Sequence, residues 1–275
     1  MNLKNLIPLL LIATACGTQA QLPAAPEAPD MSGWSVKKPL PARAAYAGQS
    51  DYMNFYHALA LQDPRVDVSI SALLSINGVL PEGPVTPENI GKLYPFKNTF
   101  VILALTGGEI RDWLEFSYDC WIRTMTTPDD PVLSMKDTGK KLNFAKSPSI
   151  FDSAAGINYT VDVTQPYGKR VRISSFADGR PFDIAQAYHV GLNSYRAHGS
   201  GGVMKALGID PKNLGPRIFY EGPDFRVLLE QWLREHGSID PEEIGDPSRI
   251  GRWSFIPQEW VGPAMERDLE KVLGK

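Results

Sequence analysis

The chain has 275 residues, enough for one large domain or two small ones at roughly 100–200 residues per domain. Hydrophobic residues make up 43% and charged residues 21%, which excludes a wholly disordered chain and leaves material for a core. The net charge of −3 gives no basic surplus for a nucleic-acid polymer, two cysteines exclude a disulfide framework, and four histidines speak against a multi-histidine metal centre.

Residues 1–20 have the three parts of an export signal. Lys4 is the positive end, residues 6–15 are apolar, and this run is too short to cross a bilayer. Two cleavage modes fit. Thr18, Gln19 and Ala20 suit a peptidase that wants small residues, while Ala13-Thr14-Ala15-Cys16 matches a bacterial lipobox, in which Cys16 carries the lipid. The expectation is an exported lipoprotein, periplasmic or at the cell surface, held to the membrane through that anchor alone. Residues 21–47 carry Pro23, Pro26, Pro29, Pro39 and Pro41 among alanines and read as an extended tether. The folded domain is expected over residues 48–275.

Within it, residues 50–63 show helical spacing behind a Ser50 or Asp51 N-cap. Residues 66–72 alternate as a strand. Thr86-Pro87 opens a short helix, and residues 99–105 form a continuous apolar run, a strand buried on both faces. Thr106 and Glu109 make a capping box for a helix over 107–123. Cys120, among Trp113, Phe116, Trp121 and Ile122, reads as a buried small hydrophobe. Residues 124–148 read as a long loop. Strands follow at 157–163, 169–176 and 186–192, then an amphipathic helix over 224–236 ended by Gly237, a short strand at 253–256 and a last helix over 263–273. Strands and helices without a regular alternation predict an α+β fold, a single domain with a mixed β-sheet packed by helices.

Catalytic signatures are absent: no G-x-S-x-G, no H-E-x-x-H, no Walker loop. Two loops remain. Residues 151–156, with Phe151, Asp152 and Gly156, lead into a strand. Phe151 there is either an aromatic platform for a ring ligand or core. Residues 193–202 hold Asn193, Tyr195, Gly199, Gly201 and Gly202, either a close backbone approach to a ligand or a flexible turn.

These loops carry a resemblance. Residues 66–115 and 151–202 resemble the C-terminal domain of the 5′-nucleotidase family, in the version found in 2′,3′-cyclic-nucleotide 2′-phosphodiesterase/3′-nucleotidases. Lys92-Leu93-Tyr94-Pro95-Phe96-Lys97-Asn98-Thr99 is similar to the family's approach to its buried strand. Leu105-Thr106-Gly107-Gly108-Glu109-Ile110 resembles its helix start, and Asn193 to Gly202 its Asn-x-aromatic-x-Ala-x-Gly-Gly motif. The ordered set is specific where no single piece is.

The resemblance implies a nucleoside-recognition domain that sandwiches a base between two rings. Phe151 would be the first ring, with Asp152, Gly156, Asn193, Tyr195, Gly199, Gly201 and Gly202 shaping the site. Val203 stands where the second ring is expected, so Tyr195 is a candidate substitute. The family's arginine-bearing segment is replaced by residues 75–80, leaving Asn77 as the one hydrogen-bonding side chain of that motif. Catalytic residues and cofactors are expected to be absent from this chain. The resemblance places two divalent metal ions in a calcineurin-like metallophosphatase, expected here as a separate partner chain. The alternative is a non-catalytic surface lipoprotein that binds a nucleoside-like ligand.

Overall fold

The computed structural model describes residues 30–274. The signal segment, Cys16 and residues 21–29 of the expected tether lie outside the described residues. The rest of that tether is not a tether. Trp34, Val36, Leu40, Ala42, Ala45 and Tyr46 are buried, and Ser35–Val36 pairs with Ser238–Ile239 on one side and Gly83–Pro84 on the other. The folded unit therefore begins at Met31. The prolines of this stretch hid an apolar pattern spaced widely enough to look like none.

Helix α1 (Asp51–Leu61) begins at Ser50, whose hydroxyl accepts the Met53 N–H at 3.3 Å. Residues 52–60 are all buried, so α1 is a central helix rather than a surface one. In chain order the principal strands are β1 (Val68–Ala72), β2 (Thr99–Thr106), β3 (Asp152–Ala155), β4 (Ile157–Asp162), β5 (Val171–Phe176), β6 (Ala187–Asn193), β7 (Ile218–Asp224) and β8 (Trp253–Ile256). The other helices are α2 (Pro87–Leu93), α3 (Gly107–Trp121), the single turns α4 (Ser194–Ala197) and α5 (Val203–Ala206), then α6 (Phe225–His236), α7 (Pro241–Ile244), α8 (Pro247–Ile250) and α9 (Gln258–Leu273). This is the α+β class expected.

Five strands form one mixed sheet in the order β7-β2-β6-β1-β3. Strand β6 runs parallel to β1 and antiparallel to β2, and β3 is antiparallel to β1. The apolar β2 lies between two partners, as its composition requires. Thr106 and Glu109 close the capping box of α3: the Glu109 carboxylate accepts the Thr106 N–H at 2.8 Å and Thr106 Oγ1 accepts the Glu109 N–H at 3.1 Å. A second sheet, β5-β4-β8, has three strands.

Residues 124–148 are not one loop. Met135–Asp137 and Leu142–Phe144 pair as a hairpin, and Pro148–Ile150 makes a 3-10 turn. The last helix starts five residues before the expected Pro263, which sits inside it.

Candidate functional site

One end of the five-stranded sheet opens into a cavity of about 270 Å³. Topology brings its walls together. The C-terminal ends of β1 and β6 and the N-terminal ends of β2 and β3 lie at the same edge because β1 and β6 run against the other two. From β1 and the residues after it come Ala72, Leu73 and Leu74; from the approach to β2, Phe96 and Asn98. The turn before β3 adds Ser149, and the end of β6 with α4 adds Asn193, Tyr195 and Arg196.

Two aromatic rings are about half exposed here, Tyr195 with the Arg196 guanidinium 5.7 Å from its ring centre. Phe96 is 45% exposed and Tyr195 is 51% exposed. Large aromatics left in water on a cavity rim mark a surface that gains by covering a flat apolar ligand. Phe96 stands edge-on to the buried Tyr94 at 6.4 Å, which braces its base. Asn98 donates to the Tyr94 hydroxyl at 3.4 Å.

Beneath the rings lies a buried ion pair. Arg196 Nε donates to Asp152 Oδ1 at 2.9 Å, and the other carboxylate oxygen accepts the Trp113 indole N–H at 2.9 Å. Burial pushes the Asp152 carboxyl above its ordinary range, and Arg196 and the Trp113 indole pull it back. The remaining guanidinium nitrogens donate to the Ser200 carbonyl at 3.0 Å and to the Ser149 carbonyl. One side chain thus ties β3, the turn before it and the glycine loop together. Asn193 caps α4 by accepting the Arg196 N–H at 2.9 Å.

Of the expected site residues, Asn193 and Tyr195 line the cavity; the others do not. Phe151 is 0% exposed and stacks on Trp121 with ring centroids 5.3 Å apart, so both its faces are used inside the core. It is not a platform for a ligand. Asp152 is spent on Arg196 and Trp113. Gly156 lies at the far end of β3 with φ +88°, where a Cβ would overlap the Asp67 carbonyl, so it serves the bend that carries the chain from the five-stranded sheet into β4 of the second sheet. Asn77 is exposed on its loop and does not line the cavity. Gly199 and Gly201 sit behind the cavity wall: a Cβ on Gly199 would lie 2.5 Å from Pro211, and one on Gly201 would overlap the Arg196 guanidinium. Gly202 precedes α5 with φ +85°. Val203 is buried and offers no second ring.

Phe96, Asn98, Ser149 and Arg196 escaped sequence reasoning as cavity residues. Pro95-Phe96 between Tyr94 and Lys97 was the available signal, an aromatic held by a proline just before the apolar run of β2. Among the described residues there is no group of three His, Cys, Asp or Glu that could hold a metal ion.

Comparison with known proteins gives the family and the fold. Residues 30–208 match the family described as 5′-nucleotidase, C-terminal domain. The chain is 31% identical over 202 residues to the trifunctional nucleotide phosphoesterase protein YfkN of Bacillus subtilis, covering 69% of this chain and 12% of that protein. It is 26% identical over 189 residues to a 2′,3′-cyclic-nucleotide 2′-phosphodiesterase/3′-nucleotidase of Haemophilus influenzae, covering 64% and 26%. The chain thus spans about a quarter or less of these two relatives. In fold it is similar to a putative 5′-nucleotidase from Staphylococcus aureus, with a TM-score of 0.58 at 20% identity over 82% of this chain and 41% of that one. A 5′-nucleotidase precursor from Thermus thermophilus gives a TM-score of 0.55 at 19% identity over 81% and 39%. The chain belongs to the 5′-nucleotidase C-terminal domain family.

Proposed function

We propose that this chain is the nucleoside-recognition part of a secreted phosphohydrolase of nucleotides or cyclic nucleotides. Two divalent ions and the attacking water would come from a separate calcineurin-like metallophosphatase chain. The observation that carries the reading is the pair of exposed rings, Phe96 and Tyr195, on the rim of one cavity. A base lying on either ring gains about 1–3 kcal/mol from stacking. Asn98 and Asn193 stand in the same cavity as side chains able to hydrogen-bond a base or ribose edge. The Arg196 guanidinium is committed to Asp152 and two carbonyls, so it positions the wall rather than neutralising a phosphate. The phosphate would therefore be held by the partner. Export and a lipid on Cys16 complete the proposal and would keep both chains at one membrane face.

The test is phosphate release from 5′-AMP, 3′-AMP and 2′,3′-cyclic AMP with added Mn²⁺, by this chain alone and mixed with a co-exported metallophosphatase. A monoesterase reveals ring opening of the cyclic substrate. Activity only in the mixture, lowered at least about tenfold by Tyr195→Ala, is the expected result. No activity in the mixture, together with saturable nucleoside binding by this chain alone, would replace it by the non-catalytic lipoprotein. The lack of an uncommitted guanidinium in the cavity is what favours that second reading.

A further inference from the structure

The open face of the β5-β4-β8 sheet forms a second, larger concavity of about 780 Å³ that shares no lining residue with the aromatic cavity. Its floor is a polar grid: Arg172 and Ser174 from β5, Asn158 and Thr160 from β4, Ser254 from β8 and Arg252 just before it. Strand alternation puts these side chains on the open face while Val161 and Phe255 turn to the core. Pairing sets Arg172 beside Thr160 and Thr160 beside Ser254. Asn158 fixes the grid. Its Nδ2 donates to Ser175 Oγ and to the Phe176 carbonyl, each at 2.9 Å, and its Oδ1 accepts the Arg252 N–H at 2.8 Å.

Three features point to a ligand. Arg172 and Arg252 are both exposed, and among the described residues neither guanidinium has an acidic partner within 4.0 Å or a hydrogen-bond acceptor. Another wall, at the start of α1, carries Asn54, whose Oδ1 accepts from Gln49 Nε2 at 3.3 Å and whose Nδ2 is left to solvent in the concavity. The same wall carries the carboxylates of Asp51 and Glu242. One side of the concavity therefore takes an anion, and the other takes hydroxyl groups. No ring face is free to stack a base, because Tyr159 and Trp253 are buried and stacked on each other at 5.5 Å.

We propose that this concavity binds a sugar phosphate, with the phosphate on Arg172 and Arg252 and the hydroxyls on Asn54, Gln49 and Asp51. The rigid floor lowers the cost of ordering the site. Glu242, Arg252 and Ser254 lie beyond residues 30–208, so the site is built partly from chain outside the family match. It does not depend on the reading of the aromatic cavity.

The test is calorimetric titration of the purified folded chain with ribose 5-phosphate, and with ribose and inorganic phosphate as its two halves. Ribose 5-phosphate should bind saturably and at least about tenfold more tightly than either half. Arg172→Gln and Arg252→Gln, both at exposed positions, should each weaken it about tenfold or more with unchanged circular dichroism. Tyr195→Ala should leave it unchanged. Absence of saturable binding up to millimolar ribose 5-phosphate overturns the proposal. So does inorganic phosphate binding equally well, binding that survives both Gln variants, or binding lost in Tyr195→Ala.

Discussion

The cavity under Phe96 and Tyr195 and the concavity over β5-β4-β8 are walled in opposite ways. The first shows aromatic rings to solvent and spends its one arginine internally, on Asp152 and two carbonyls. The second buries its rings and shows its arginines. A guanidinium consumed by a buried carboxylate is scaffolding; the same group left unpaired on a rigid polar floor is a binding group. Residue type alone does not separate the two roles. The partner does.

The largest expected effect breaks the first cavity at its foundation. Asp152→Ala leaves Arg196 buried without its carboxylate and should cost about 3–5 kcal/mol, read as a lower urea midpoint. An unchanged midpoint would mean that buried charge does not hold the aromatic cavity.

A pH effect should reach both sites together. His57 of α1 is buried between Ser69 of β1 at 2.9 Å and Ser153 of β3 at 3.1 Å, and burial pushes its pKa down to about 3. The unfolded imidazole titrates near 6.5, so between these values the unfolded state binds the extra proton. Stability is then flat with respect to this group above pH 6.5. It falls by up to about 1.4 kcal/mol per pH unit as pH drops toward 3. Urea melts across pH 7 to 4 should show this slope, and His57→Gln should flatten it. The first turn of α1 walls one cavity and the end of β1 walls the other, so both should be lost together once acid unfolds the domain.

Tyr195→Ala sharpens the contrast at intermediate size. It should reduce adenosine binding by about 1–3 kcal/mol in equilibrium titration and leave ribose 5-phosphate untouched. The smallest effect is expected from Thr106→Ala. Loss of the α3 cap should cost about 1 kcal/mol in urea melts and change the affinity of neither ligand.

The elements with strong local chemistry were readable from sequence. Ser50 capping α1, the Thr106–Glu109 box and the apolar β2 stand where their residues say. The failures share a cause, which is that tertiary position overrode local pattern. Strand β3 reads Asp-Ser-Ala-Ala, poor in β-formers, yet all four residues are buried and the small side chains fit there. Strand β7 contains Gly222 and Pro223, which an edge position with register shifts tolerates. Within the candidate site, Tyr195 and Asn193 were legible as part of a motif. Phe151 was not, because a sequence does not say which way an aromatic at a strand entrance faces. Arg196 was hidden beside Tyr195: adjacent positions on one helical turn send one side chain to solvent and the next into the core.

The clasp of Ser35–Val36 between Gly83–Pro84 and Ser238–Ile239 has a mechanical side. A pull on the N-terminal segment meets this clasp first, where the Ser35 and Lys37 N–H groups are held by carbonyls of Gly237 and Ile239 at 3.3 and 3.0 Å. Behind it sits Tyr46, stacked on Phe144 at 5.0 Å and edge-on to Phe151. Tension that peels the clasp would reach the aromatic layer beneath β3, and through Asp152 the wall of the ring-lined cavity. The short clasp is thus the first set of bonds that a load on the leading segment would have to break, ahead of the aromatic layer and the cavity wall.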